Sequence, residues 1–185
     1  FLKKTARDFA AREITPNAAA WDQKSEYPKD MIRKLGEAGL MGVTVSDSYG
    51  GAGMDAVSLS VALEEIAAAD ASISVMMSVH NSLVCDGIGK FGSDALKSKY
   101  LPKLASGEWL GCFAISEPDA GSDAGSLKTR AVKKGDDYHL TGVKNFITSG
   151  NVSDLALVFA TVDPAAGKKG ITAFVVETKT SGWRA

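Results

Sequence analysis

The sequence predicts an α+β protein of more than one domain, all-α over residues 1–107 and strand-rich over 108–185. Three observations carry this. Apolar residues recur at helical spacing through the first half, as in Leu2, Ala6, Phe9 and Ala10 at i, i+4, i+7 and i+8. Near Ser106-Gly107 that period is lost, and short apolar runs of strand length follow. Between two of those runs stands Gly135-Asp136, a hairpin turn signal. Runs of helices followed by runs of strands make α+β folds or two separate domains, so the boundary is placed near 107. With 185 residues, 45% of them hydrophobic, there is enough apolar material for a core.

Pro16 interrupts the first helix, and Thr15 before it reads as an N-cap with proline at the first helical position. Pro28 repeats the arrangement ahead of Met31, Ile32, Leu35 and Ala38, and Gly39 is a stop signal. A glycine-rich loop, Tyr49 to Gly53, precedes a helix over 56–69 whose low charge predicts burial on most sides. A further helix is expected over about 72–90. Ser93 then caps a shorter one with Leu96, Tyr100 and Leu104 inward, which Pro102 should kink or end. Strands are expected over 110–116, 127–134, 137–148, 154–162 and 170–177, with Pro164 to Gly170 a polar loop. The chain opens as if inside a helix and stops just after a strand, so it reads as a piece of a longer one.

Charge and cysteine content exclude several functions. With 22 acidic and 21 basic residues there is no basic excess, so nucleic acid is not an expected partner. No apolar run approaches the roughly 20 residues that span a bilayer, and no signal peptide is visible. Cys85 and Cys112 form no C-x-x-C and sit among apolar neighbours, as buried thiols in a reducing compartment would.

Several motif matches fail on context. Gly87 to Gly92 satisfies G-x-G-x-x-G, but it ends a helical stretch, whereas a dinucleotide fingerprint follows a strand and opens a helix. Gly50 to Ser58 matches a single copy of a calcium β-helix repeat that needs several; Asp55 there is better read as a helix cap. Glu117, Asp119 and Asp123 lack EF-hand spacing, and no His or Cys lies nearby, so no metal site is expected. Ser116 lacks the flanking glycines of a nucleophile elbow. His80 and His139 stand far apart without ligand spacing and read as ordinary polar residues.

Two segments remain. The apolar run Leu110 to Ile115 ends at Ser116-Glu117-Pro118, and the small polar loop Asp119-Ala120-Gly121-Ser122-Asp123-Ala124-Gly125-Ser126 follows. Such a loop exposes N–H groups and hydroxyls, which an anionic cofactor needs. Further on comes Lys144-Asn145-Phe146-Ile147-Thr148-Ser149-Gly150, with an aromatic and a hydroxyl two positions apart on one expected strand face. These segments, preceded by Tyr49-Gly50-Gly51-Ala52-Gly53 and His80-Asn81-Ser82-Leu83, resemble the flavin-binding segments of the acyl-CoA dehydrogenase family, and the resemblance runs from residue 1 to 185.

That resemblance implies an all-α N-terminal domain, a β-barrel middle domain of which this chain holds a part, and a C-terminal helical bundle beyond Ala185. It implies bound FAD, with Ser116 and the backbone near Ile115 facing the pyrimidine edge and Phe113 beside the ring. Gly121 would permit close approach, and Ser122 would serve the flavin phosphates or the acyl-CoA. Phe146 would cover the flavin face, where many members carry Trp, and Ile147-Thr148 would bring a hydroxyl to N5. Glu117 and Asp123 would hold the turn. Val79 and Leu83 would line the end of a short acyl chain, or Leu83 would simply be core.

The implied reaction is α,β-dehydrogenation of a short-chain acyl-CoA, with a base lying beyond Ala185 and so no catalytic residue here. Electrons would pass to an electron-transferring flavoprotein, and the protein would be a homotetramer, cytoplasmic if bacterial and in the mitochondrial matrix if eukaryotic. The alternatives on the same fold are a flavin-dependent monooxygenase, an acyl-CoA oxidase and a non-catalytic scaffold.

Overall fold

A computed structural model describes residues 1–25 and 27–185. The chain divides into two compact units, Phe1–Leu110 and Gly111–Ala185.

The first unit is helical. Helix α1 (Leu2–Phe9) runs on without a break into a π-helical stretch, Ala10–Ile14. Burial of Ala6, Phe9, Ala10 and Ile14 holds the two together. Thr15 therefore closes this helix, its N–H donating to Ala10 O, and is not the cap of the next one. Helix α2 (Ala18–Lys24) starts after Asn17, and α3 (Lys29–Glu37) after Pro28, which stands at the cap and not at the first helical position. Met31 and Leu35 face inward, and Gly39 follows in the left-handed region (φ +74°).

Asp55 caps α4 (Ala56–Ala67) by accepting from the Ser58 N–H at 2.8 Å. This helix buries one stripe, Leu59, Ala62 and Ile66, and not most of its surface; Val57 is 71% exposed. Helices α1 and α5 pack on that stripe, and its composition alone could not say how many sides would find neighbours. Helix α5 (Ala71–Ser78), a π-helical turn (Val79–Cys85) and α6 (Asp86–Phe91) form one continuous rod. The Gly87–Gly92 run lies at its end.

Ser93 caps α7 (Asp94–Ala105), and Pro102 neither ends nor breaks it. Tyr100, Leu101, Leu104 and Ala105 are all buried around the proline, and that packing outweighs the one missing N–H near the helix end.

The second unit is a five-stranded sheet. Strand β4 (Leu155–Thr161) is central and apolar on both faces. Strand β5 (Ile171–Glu177) pairs with it antiparallel over its full length. Along its other edge lie β1 (Gly111–Ala114), parallel, and then β2 (Arg130–Lys134) through Arg130↔Thr161. Strand β3 (Asp137–Thr141) returns from β2 through Gly135-Asp136 as a hairpin. Cys112, Ala114, Ala156 and Val158 form the inner cluster, with Leu140, Ile147, Val176 and Trp183 packed on it. The sheet curls: Tyr138 of β3 and Phe174 of β5 lie 5.3 Å apart, ring to ring, although three strand spacings, about 14 Å in a flat sheet, separate them.

Strands β4 and β5 match the sequence expectation to within one residue at each end, while β1, β2 and β3 fall well short of it because backbone groups at their ends bond elsewhere. Strand β1 stops at Ala114, because the next residues bond elsewhere: the Ile115 carbonyl accepts from Lys144 and the Ser116 carbonyl from Asn145. Residues 127–129 leave the expected ladder because the N–H groups of Lys128 and Thr129 both donate to the Glu117 carboxylate. With that partner diverted, β3 ends at Thr141 and not at 148. Gly142 then packs on Thr129 so closely that a Cβ would lie 2.2 Å from its Oγ1. Phe146 and Thr148 thus stand on an irregular segment and do not share a strand face.

Candidate functional site

The two segments singled out in the sequence meet at the end of β1. The Asn145 N–H donates to the Ser116 carbonyl at 2.9 Å. Lys144 Nζ donates to the Ile115 carbonyl at 3.0 Å and to Glu117 Oε1 at 2.7 Å. Glu117 also accepts from the Thr129 hydroxyl and from the N–H groups of Lys128 and Thr129. Its side chain is 5% exposed and that of Lys144 12%. Burial alone would raise the Glu117 carboxyl; the Lys144 ammonium, the Thr129 hydroxyl and the two N–H groups together outweigh it and hold the carboxyl at about 2. Glu117 holds its turn by accepting N–H bonds, as a structural carboxylate should.

Around this joint the predicted residues take distinct positions. Phe113 lies on the sheet face opposite the inner cluster, its ring 4.9 Å from that of Phe159. The Ile147 side chain is committed to the inner cluster, which leaves only its backbone for a ligand. Ser116 and Thr148 are half-buried and Ser122 is exposed, and their hydroxyls have no hydrogen-bond partner among the described residues. By contrast, Ser126 bonds Asp123, Thr129 bonds Glu117 and Thr178 bonds the Ser153 carbonyl. A Cβ built on Gly121 would meet nothing within 4 Å, so nothing in this chain demands glycine there. Asp123 is held low by its bond to Ser126 and by nearby Lys168, and it ties down its own turn.

Phe146 is the most unusual residue of the site. It is 98% exposed and sits at φ +56°, a left-handed conformation that bulky side chains rarely adopt. Such strain costs on the order of 1–3 kcal/mol and persists where the surroundings impose it, typically at functional positions. An exposed ring, three uncommitted hydroxyls and an open Gly121 backbone fit a large, flat, polar-edged ligand such as a flavin.

Val79 and Leu83 lie in the helical unit, on the π-helical turn. With Val75 they follow one another at i, i+4 and i+8; Leu83 is 39% exposed and Val75 51%. Leu83 is therefore not a core residue of that unit. The adjacent pair is buried instead. Asn81 accepts from the Val43 N–H at 2.9 Å and donates to the Leu40 and Met77 carbonyls, both at 3.0 Å. His80 Nε2 lies 3.1 Å from the Leu104 carbonyl, and burial lowers its pKa to about 4 against the pull of its bonds to the Leu104 and Met41 backbone.

Two family models cover almost the whole chain: the acyl-CoA dehydrogenase N-terminal domain matches residues 1–108, and the acyl-CoA dehydrogenase middle domain residues 112–185. The chain belongs to the acyl-CoA dehydrogenase family. An acyl-CoA dehydrogenase of Bacillus subtilis is 47% identical over 98% of this chain. The butyryl-CoA dehydrogenase of Megasphaera elsdenii superposes with a TM-score of 0.94 at 39% identity, again over 98% of this chain and 48% of that one. A glutaryl-CoA dehydrogenase of Mycobacterium smegmatis, solved in complex with FADH2, gives 0.91 at 36% identity over 98% of this chain and 45% of that one. The chain spans about half the length of the relatives it matches, 48% of the Bacillus protein.

Nothing local in the sequence of this acyl-CoA dehydrogenase chain singles out Lys144, which reaches Glu117 only through the fold. The available signal was a lysine and a glutamate, one in each of the two motif segments. Among the described residues no helix is long and apolar enough to cross a membrane, and no group of His, Cys, Asp or Glu side chains is placed to hold a metal ion.

Proposed function

We propose that the full-length protein is an FAD-dependent dehydrogenase that converts a short-chain acyl-CoA to the trans-2-enoyl-CoA and passes the electrons to an electron-transferring flavoprotein. The observation that carries this is the joint itself: Asn145 to Ser116, and Lys144 to Ile115 and Glu117, bring the two expected flavin-facing segments together. Short-chain preference draws on the likeness to butyryl-CoA dehydrogenase.

Bound FAD would supply the acceptor for the hydrogen and electron pair that leave the β-carbon. The remaining chemistry falls to protein groups. Ser116 donates its free hydroxyl toward the edge where negative charge develops, and Thr148 does so from the second segment. Phe146 covers the ring face and excludes water. Gly121 and Ser122 present N–H and hydroxyl donors to phosphate. The α-proton passes to a carboxylate base as the Cα–Cβ double bond forms; no residue of 1–185 is assigned that role. Val79 and Leu83 gauge the acyl chain.

Thr148→Val tests this reading. The variant keeps the shape and loses one hydroxyl, so folding stays near wild type. A hydrogen bond to a charged group is worth about 1.5–3 kcal/mol, so reduction by butyryl-CoA in single turnover should slow roughly 10- to 100-fold, with weaker flavin retention. An unchanged single-turnover rate would remove Thr148 from the flavin site.

A further inference from the structure

Lys144 donates two hydrogen bonds into residues 115–117, to the Ile115 carbonyl at 3.0 Å and to Glu117 at 2.7 Å. Glu117 carries the connection on to Lys128 and Thr129, at the head of β2. The next residue, Asn145, bonds Ser116 through its backbone. Three segments far apart in sequence therefore share one buried node, and the exposed, left-handed Phe146 begins one residue beyond it. Lysine is almost never buried unless paired, and here the pairing falls between the residues that flank Ser116.

We propose that Lys144 is a positioning residue, which sets the Ile115–Ser116 peptide and the Phe146–Thr148 turn against each other and so governs the fit of the flavin without itself meeting it. The proposal rests on the flavin reading above. It differs from a plain stabilising role in one respect. Lys144 is the donor that fixes the Ile115 carbonyl, so its loss should disorder the site even when no charge is left unpaired.

The test uses the full-length protein, stripped of flavin, as wild type, Lys144→Met and Lys144→Met/Glu117→Gln. The double variant removes both charges at nearly constant volume, which keeps the fold available if the single variant is too unstable. Two readouts are taken: the dissociation constant for added FAD, from flavin fluorescence, and amide exchange across residues 111–177. Both variants are expected to bind FAD roughly 10- to 100-fold more weakly, the span of one lost charge-assisted hydrogen bond. Loss of exchange protection should be confined to 113–117 and 145–148 in Lys144→Met, and in the double variant to these and 128–129, whose N–H groups bond separate oxygens of Glu117. A double variant that binds FAD within about threefold of wild type would overturn the proposal. So would a loss of protection spread evenly over β4 and β5, which is the mark of an ion pair that only stabilises the sheet. If wild type itself binds no FAD, the flavin reading fails, while the exchange pattern still decides whether Lys144 positions the loop.

Discussion

Replacing Glu117 with alanine should unfold the candidate site. The carboxylate is the common acceptor for the Lys144 ammonium, the Thr129 hydroxyl and two backbone N–H groups. Breaking a buried pair from one side costs about 3–5 kcal/mol, because the surviving charge is left uncompensated. The loss should appear in thermal unfolding of the strand-rich unit and in exchange at 115–117 and 128–129, and bound flavin should be lost with it. A stability change under about 1 kcal/mol would mean that water replaces the carboxylate without difficulty.

The same group sets an acid limit. A carboxyl held at about 2 in the fold, against an ordinary value of 4.5, binds its proton more readily when unfolded. Its contribution, of order 3 kcal/mol, is complete above about 4.5 and fades as pH falls through 2.

The second large effect is expected in the helical unit. Asn81→Leu would leave the Val43 N–H and the Leu40 carbonyl without their partner and take a third bond from Met77. Each buried group left unsatisfied costs about 1–3 kcal/mol, so a loss of roughly 3–5 kcal/mol is predicted. Chemical denaturation compared with wild type would measure it, and a change below about 1 kcal/mol would contradict the bonding described.

His80 adds a separate pH dependence. Its folded pKa is depressed to about 4 from 6.5, so the unfolded chain binds the proton first and stability falls as pH drops from 6.5 toward 4. Exchange protection along α5 to α6 should therefore weaken at pH 5, before the strand-rich unit responds. Simultaneous loss in both units would show that His80 does not govern this window.

Local signals were the ones that sequence reading could use. Asp55 and Ser93 cap their helices because capping is settled within three residues. The Gly135-Asp136 hairpin is equally local. What sequence reading lost was every strand end near Glu117. Val143 to Thr148 holds enough β-branched and aromatic residues to read as more of β3, but its partner strand is pulled away by a carboxylate 11 or 12 residues upstream of Lys128 and Thr129. Neither π-helical stretch left a local trace, and the exposed side of α4 could not be inferred from its apolar composition. At the site, the residue types were legible, while the reversal at Phe146 and the burial of Lys144 depend on contacts between segments.

The central claim is that the joint between 115–117 and 144–148 forms part of a flavin site serving a short-chain acyl-CoA. It is tested most directly by reconstituting the purified full-length protein with FAD and recording its absorbance, first alone and then after anaerobic addition of butyryl-CoA or octanoyl-CoA. The account predicts a yellow protein whose flavin band bleaches faster with the four-carbon substrate and recovers slowly in air. A protein that shows no flavin absorbance after reconstitution would contradict the account at its root. A flavin that bleaches but reoxidises rapidly in air would instead make the protein an oxidase on the same fold.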